Sequence, residues 1–106
     1  MKSAKFVPVA QVFVCANVRG EADPLKSACG AHGPALFDAL KTVARESGLA
    51  RDLWVTRTGC LGHCPRDGCA VAVYPEGGQW LDARAEDART IALHALRANA
   101  RRRENP

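Results

Sequence analysis

Four of the five cysteines form a spaced set: Cys15, thirteen residues, Cys29, thirty residues, Cys60, three residues, Cys64. The last two close the string Gly59-Cys60-Leu61-Gly62-His63-Cys64-Pro65. Four thiolates are what a [2Fe-2S] centre asks of a protein, and they must come from segments that converge while leaving the inorganic core room. One close pair with two distant singles can do this on a small fold. Gly59 and Gly62 flank Cys60, and glycine lets backbone N–H groups approach closely. Aimed at sulfur, such groups stabilise the added negative charge of reduction and raise the potential. An ordinary strand-to-loop turn would also use these glycines; with Cys60 and Cys64 closing the same turn, the ligand reading is favoured.

Other chemistries of cysteine and histidine fit less well. Four thiolates also make a tetrahedral zinc site, structural or regulatory, but zinc ribbons normally use two Cys-x-x-Cys knuckles and this chain has none. A thiol-disulfide redox protein lowers its nucleophile's pKa with a Cys-x-x-Cys at a helix N-terminus, whereas Cys29 stands alone before Gly33-Pro34. A Rieske site would put two histidines on one iron. His32 and His63 invite that thought, yet the four cysteines already satisfy both irons, and His63 reads as a loop residue or a tuner of potential. Cys69, with four residues between it and Cys64, reads as a small apolar residue entering a strand, the sharper alternative being a substitute ligand. Arg19, Arg57 and Arg66 border the candidate ligands, where they either offset an anionic cluster and orient a partner or are simply solvated. No Gly-rich strand-to-helix fingerprint of nucleotide binding is present.

The strings Phe13-Val14-Cys15-Ala16-Asn17-Val18-Arg19, Ser27-Ala28-Cys29-Gly30, Thr56-Arg57-Thr58-Gly59-Cys60-Leu61-Gly62-His63-Cys64 and Val71-Ala72-Val73-Tyr74-Pro75-Glu76-Gly77 together resemble the thioredoxin-like [2Fe-2S] ferredoxins. They are similar too to the cluster-bearing domain of the small subunit of respiratory NADH dehydrogenases. The resemblance spans roughly residues 6 to 98, with all four cysteines matching in order and context. It implies a thioredoxin-like fold, a [2Fe-2S] cofactor on Cys15, Cys29, Cys60 and Cys64, one-electron transfer between redox partner proteins with no catalytic residues, and a homodimer. One departure matters: family members often place a Gly-Pro step after the fourth cysteine, and here Gly68 precedes Cys69. The respiratory subunit carries extra helical sequence ahead of this domain. The present chain starts its first strand almost at once, so a stand-alone carrier is expected.

At 106 residues the chain is expected to be one domain, with a C-terminal tail at about 99–106. The formal charge is +4; four thiolates and an oxidised cluster bring it to about +2, and reduction to about +1. That mild basicity is no nucleic-acid signature. Arg101, Arg102 and Arg103 make the densest cationic run, suited to a solvated helix C-terminus or to docking an acidic redox partner. An odd cysteine count argues against a secreted disulfide framework, and labile clusters are assembled where thiols stay reduced, so a cytoplasmic protein is expected. Lys2 and Lys5 precede an apolar stretch, but Pro8 and Gln11 interrupt it and no small-x-small cleavage site follows. No stretch has the length of a membrane span.

The elements that must position the cysteines follow from periodicity. From Phe6 to Cys15 the apolar residues are mostly β-branched or aromatic and alternate, which predicts a strand ending at Cys15. Residues 16 to 32 lack periodicity and read as a loop. Pro34 is expected at a helix's first position, with Leu36, Phe37, Leu40, Val43 and Ala44 on one stripe until Gly48. Leu53 to Thr56 predicts a strand that delivers the chain to Cys60. Val71 to Tyr74 forms a third strand closed by Pro75, and Gly77-Gly78 turns the chain into Gln79-Trp80-Leu81. Asp82 is expected to cap a last helix whose Ala88, Ile91, Ala92, Ala95 and Leu96 face inward. This is an α/β order with a small mixed β-sheet and two main helices.

Overall fold

Alternation along Ala10, Val12 and Val14, all fully buried, and half-buried Gln11 and Phe13 makes a strand with one face in the core. It is β1 (Ala10–Cys15) in a computed structural model that describes residues 1–16, 29–59 and 68–104. The strand starts at Ala10 and not at Phe6. Pro8 lacks the N–H that a ladder needs, and Phe6 instead packs on Trp54 with ring centroids 6.0 Å apart.

Helix α1 (Cys29–Glu46) begins five residues before Pro34, which lies inside it. Residues 29–32 of the expected loop are helical and the helix start expected at Pro34 is corrected, while residues 17–28 of that loop lie outside the described residues. Proline forfeits one hydrogen bond, to the carbonyl of residue 30, and near a helix N-terminus little else. The buried stripe is as expected: Leu36, Leu40 and Ala44 are buried and Phe37 and Val43 pack at its margin. The helix closes in a Schellman motif, with the Gly48 N–H donating to the Arg45 carbonyl at 3.2 Å and the Leu49 N–H to the Ala44 carbonyl at 2.8 Å.

β2 (Leu53–Thr58) pairs parallel with β1, in register from Ala10–Leu53 to Cys15–Thr58. β3 (Cys69–Tyr74) lies antiparallel on the other side of β1, and β4 (Gln79–Ala83) antiparallel on β3, with a shift in register between Cys69 and Val71. The order β2-β1-β3-β4 is therefore a mixed sheet with β2 and β4 at its edges. After a 3-10 turn (Ala85–Asp87), α2 (Ala88–Glu104) completes the chain. Asp82 belongs to β4 and is no cap. The N-cap position of the 3-10 turn is Arg84, whose N–H donates to the carboxylate of Asp87 three residues on, at 2.9 Å.

Residues of α1 (Leu36, Leu40, Ala44) and α2 (Ala88, Ile91, Ala92, Ala95) join Val12, Val14, Leu53, Val55, Val71 and Val73 in one continuous core. Paired strand residues share a face, so both helices cover the same side of the sheet. The opposite side carries Phe13 edge-on to Tyr74 at 5.8 Å, and Trp54 and Tyr74 are each 43% exposed there. Residues 99–104, expected as a tail, continue α2. Asn99 is only 1% exposed. Its side-chain amide donates to the Ala95 carbonyl at 2.7 Å and accepts the Glu76 N–H at 2.8 Å, tying α2 to the β3–β4 turn.

Candidate metal centre

β1 and β2 run in the same direction and end side by side, Cys15 opposite Thr58. The Ala16 N–H donates to the Thr58 carbonyl at 3.1 Å, which holds the two exits together. β2 thus ends beside the end of β1, two residues before Cys60 in the sequence. β3 starts at the same end of the sheet, because Val71 pairs with Val14.

The first turns of α1 close on this corner through Gly33. A Cβ at that position would collide with the Cys15 carbonyl oxygen and stand 2.9 Å from the Ala16 Cα, so the helix can approach only as glycine. Position 29, the first residue of α1, lies one turn earlier along the same stripe of the helix. Cys15, Cys29 and the exit of β2 thus come from three separate elements to one end of the molecule. Gly68 makes a second close approach at this end. Its φ of +67° suits glycine, and a Cβ would stand 2.6 Å from the Asp82 carbonyl oxygen, so β3 enters the sheet hard against β4.

Cys15 is 1% exposed. Cys69 is fully buried in the core cluster and pairs with Ala83, the environment of a small apolar side chain. Cys60, Cys64, His63, Arg19 and Arg66 lie outside the described residues. Arg57 is exposed on β2, its guanidinium 5.6 Å from the centre of the Phe37 ring. His32 is half-buried in α1. The Arg101–Arg103 run falls in the last turns of α2.

Among the described residues the corner holds the buried thiol of Cys15 and no cluster of three or more potential metal ligands. Cys15 offers a donor shielded from solvent at a strand end, and the backbone of α1 starts at position 29. Gly33 and Gly68 escaped the sequence reading, because what each touches is backbone far away in sequence. Gly33 was visible only as the residue before a proline. Among the described residues no helix is long and apolar enough to cross a membrane.

No family model matches the chain, and no curated protein does. Solved structures do. The wild-type thioredoxin-like [2Fe-2S] ferredoxin from Aquifex aeolicus superposes with a TM-score of 0.74 at 27% identity, over 86% of this chain and 88% of that one. A second structure of that ferredoxin gives a TM-score of 0.74 at 27% identity over 87% and 84%. A cysteine-to-serine variant gives 0.73 at 27% identity over 84% and 88%. The mixed sheet and two helices of this chain are the thioredoxin-like fold of these neighbours, and the likeness supports the family resemblance read from the cysteine motifs.

Proposed function

We propose that this protein is a one-electron carrier that holds a [2Fe-2S] cluster through Cys15, Cys29, Cys60 and Cys64, and that it transforms no substrate. The observation that carries the reading is the convergence of Cys15, the start of α1 at Cys29 and the exit of β2 toward Cys60 on one corner. The structural likeness to [2Fe-2S] ferredoxins over most of the chain supports it. When bound, such a cluster accepts and returns a single electron. The chain's own contributions are to shield Cys15 from water, to start α1 at position 29 beside it, and to let that helix close on the corner through Gly33. The proposal includes cytoplasmic location, redox proteins as partners and a homodimer.

Metal content tests the reading directly. Anaerobically purified protein should hold close to two iron and two acid-labile sulfide per chain, silent in electron paramagnetic resonance when oxidised and giving a spin-one-half signal after dithionite reduction. Stoichiometric zinc without sulfide would replace the ferredoxin reading with the zinc module. A two-electron titration with dithiothreitol and no such signal would point to thiol-disulfide chemistry. Sedimentation of the holoprotein decides the dimer.

A further inference from the structure

Between α1 and the edge strand β2 runs a groove of about 920 Å³, lined by Phe37, Asp38, Lys41, Arg45, Trp54 and Thr56 among others. Two features of the groove point to one kind of occupant. The first is the outer edge of β2, with which no strand among the described residues pairs. The Ala10 N–H donates to the Asp52 carbonyl and the Ala16 N–H to the Thr58 carbonyl, so the parallel ladder to β1 uses the backbone of the even-numbered residues of β2. The backbone N–H and C=O groups of Val55 and Arg57 therefore point off the sheet, into the groove side. An edge of this kind is a template for one more strand.

The second feature is charge. Lys41 and Arg45 are one turn apart on α1 and line the groove, with Asp38 the one carboxylate among its described lining residues. Arg57 joins them from β2. The Lys41 ammonium and the Arg57 guanidinium each lie 5.6 Å from the centre of the Phe37 ring, on which both are held. Arg51 extends the basic rim beyond Trp54, stacked 4.7 Å from the centre of the Phe6 ring. Cations beside an edge strand deter pairing with basic or neutral strands and favour an acidic one.

We propose that the α1–β2 groove binds an extended acidic segment of a partner protein, which adds to β2 as a fifth strand and sets its carboxylates against Lys41, Arg45 and Arg57. Backbone bonds to Val55 and Arg57 fix the segment's register, and the cations select its charge. The inference goes beyond electron transfer and holds whether or not a cluster is bound.

The test uses the full-length purified protein and an eight-residue peptide of alternating Glu and Val, labelled for fluorescence anisotropy. Saturable binding should be accompanied by downfield movement of the Val55 and Arg57 amide protons, the signature of new ladder bonds. The same peptide N-methylated at alternate residues, and a Lys-Val peptide, should not bind. The double charge reversal Lys41→Glu with Arg45→Glu should weaken the Glu-Val peptide about tenfold or more, since each exposed pair contributes modestly. Lys41→Gln with Arg45→Gln should give a smaller loss in the same direction. Absence of saturable binding overturns the proposal. So does equal binding of the N-methylated peptide, which would make the groove a plain ionic patch, or a self-association that the same reversals abolish, which would make the occupant a second copy of the chain. Iron and sulfide content measured on the same samples separates these outcomes from failure of the electron-carrier reading.

Discussion

A methyl group at position 33 would run into the Cys15 carbonyl and the Ala16 Cα, both of them backbone that can move only if β1 or α1 moves. Overpacking of this kind costs about 1–3 kcal/mol. Gly33→Ala is therefore expected to lower the unfolding free energy from urea titration by that much and to speed loss of visible absorbance from the holoprotein, since the displaced turn carries Cys29. A variant as stable as the parent would show that the contact yields freely. Among the cysteines the expected contrast is sharper. Alanine at Cys15, Cys29, Cys60 or Cys64 should abolish or severely weaken the cluster's visible spectrum, whereas Cys69→Ala should keep it and lose only core packing. Bleaching by Cys69→Ala with retention in Cys64→Ala would reverse the ligand assignment. The cysteine set was legible in the sequence because ligand chemistry restricts both residue type and spacing. The demand for glycine at 33 was not, because it arises from backbone eighteen residues away.

At the scale of elements, periodicity revealed what packs against the core and missed what is decided by the ends. The stripe from Leu36 to Ala44 and the alternation in β1 and β2 were readable because burial imposes them. The start of α1 was not readable: Cys29 to Gly33 has no apolar period, and only docking on β1 makes it helical. The last turns of α2 read as a tail for a similar reason, since polar composition hides the burial of Asn99. That side chain accepts the Glu76 N–H at 2.8 Å and so fixes the β3–β4 turn, where the Glu76 carboxylate in turn accepts from the Gly78 N–H at 3.0 Å and meets the His94 ring at 2.9 Å. Asn99→Ala leaves the Glu76 N–H without its acceptor, a loss of about 1–3 kcal/mol. Thermal or urea unfolding should show it, and amide exchange at Glu76 and Gly78 should quicken. Unchanged stability would mean that water replaces the amide without cost.

Taken as a whole the molecule has two layers, with its helices on one face of the sheet and three element ends gathered at one corner. A chain that passes electrons to another protein needs that corner accessible and its encounters short, so contact areas are small and charge chiefly sets the rate of association. The formal charge is +4, and Arg57 is exposed on β2, whose exit leads to the candidate ligands. Arg57→Glu should accordingly slow reduction by an acidic reductase several-fold while leaving the visible spectrum as it was, and Arg66→Glu should do the same. Removing residues 101–106 should matter less, because they are distant in sequence from every candidate ligand. Stopped-flow rates should also fall as salt rises, through screening over a Debye length of about 8 Å at physiological ionic strength. Rates indifferent to both salt and charge reversal would transfer the docking role to apolar contacts around Leu61 and leave the arginines as solvated surface. The charge reversals at Lys41 and Arg45 give an internal comparison: if they weaken the acidic peptide without slowing reduction, the groove and the electron-transfer contact are separate surfaces of one small domain.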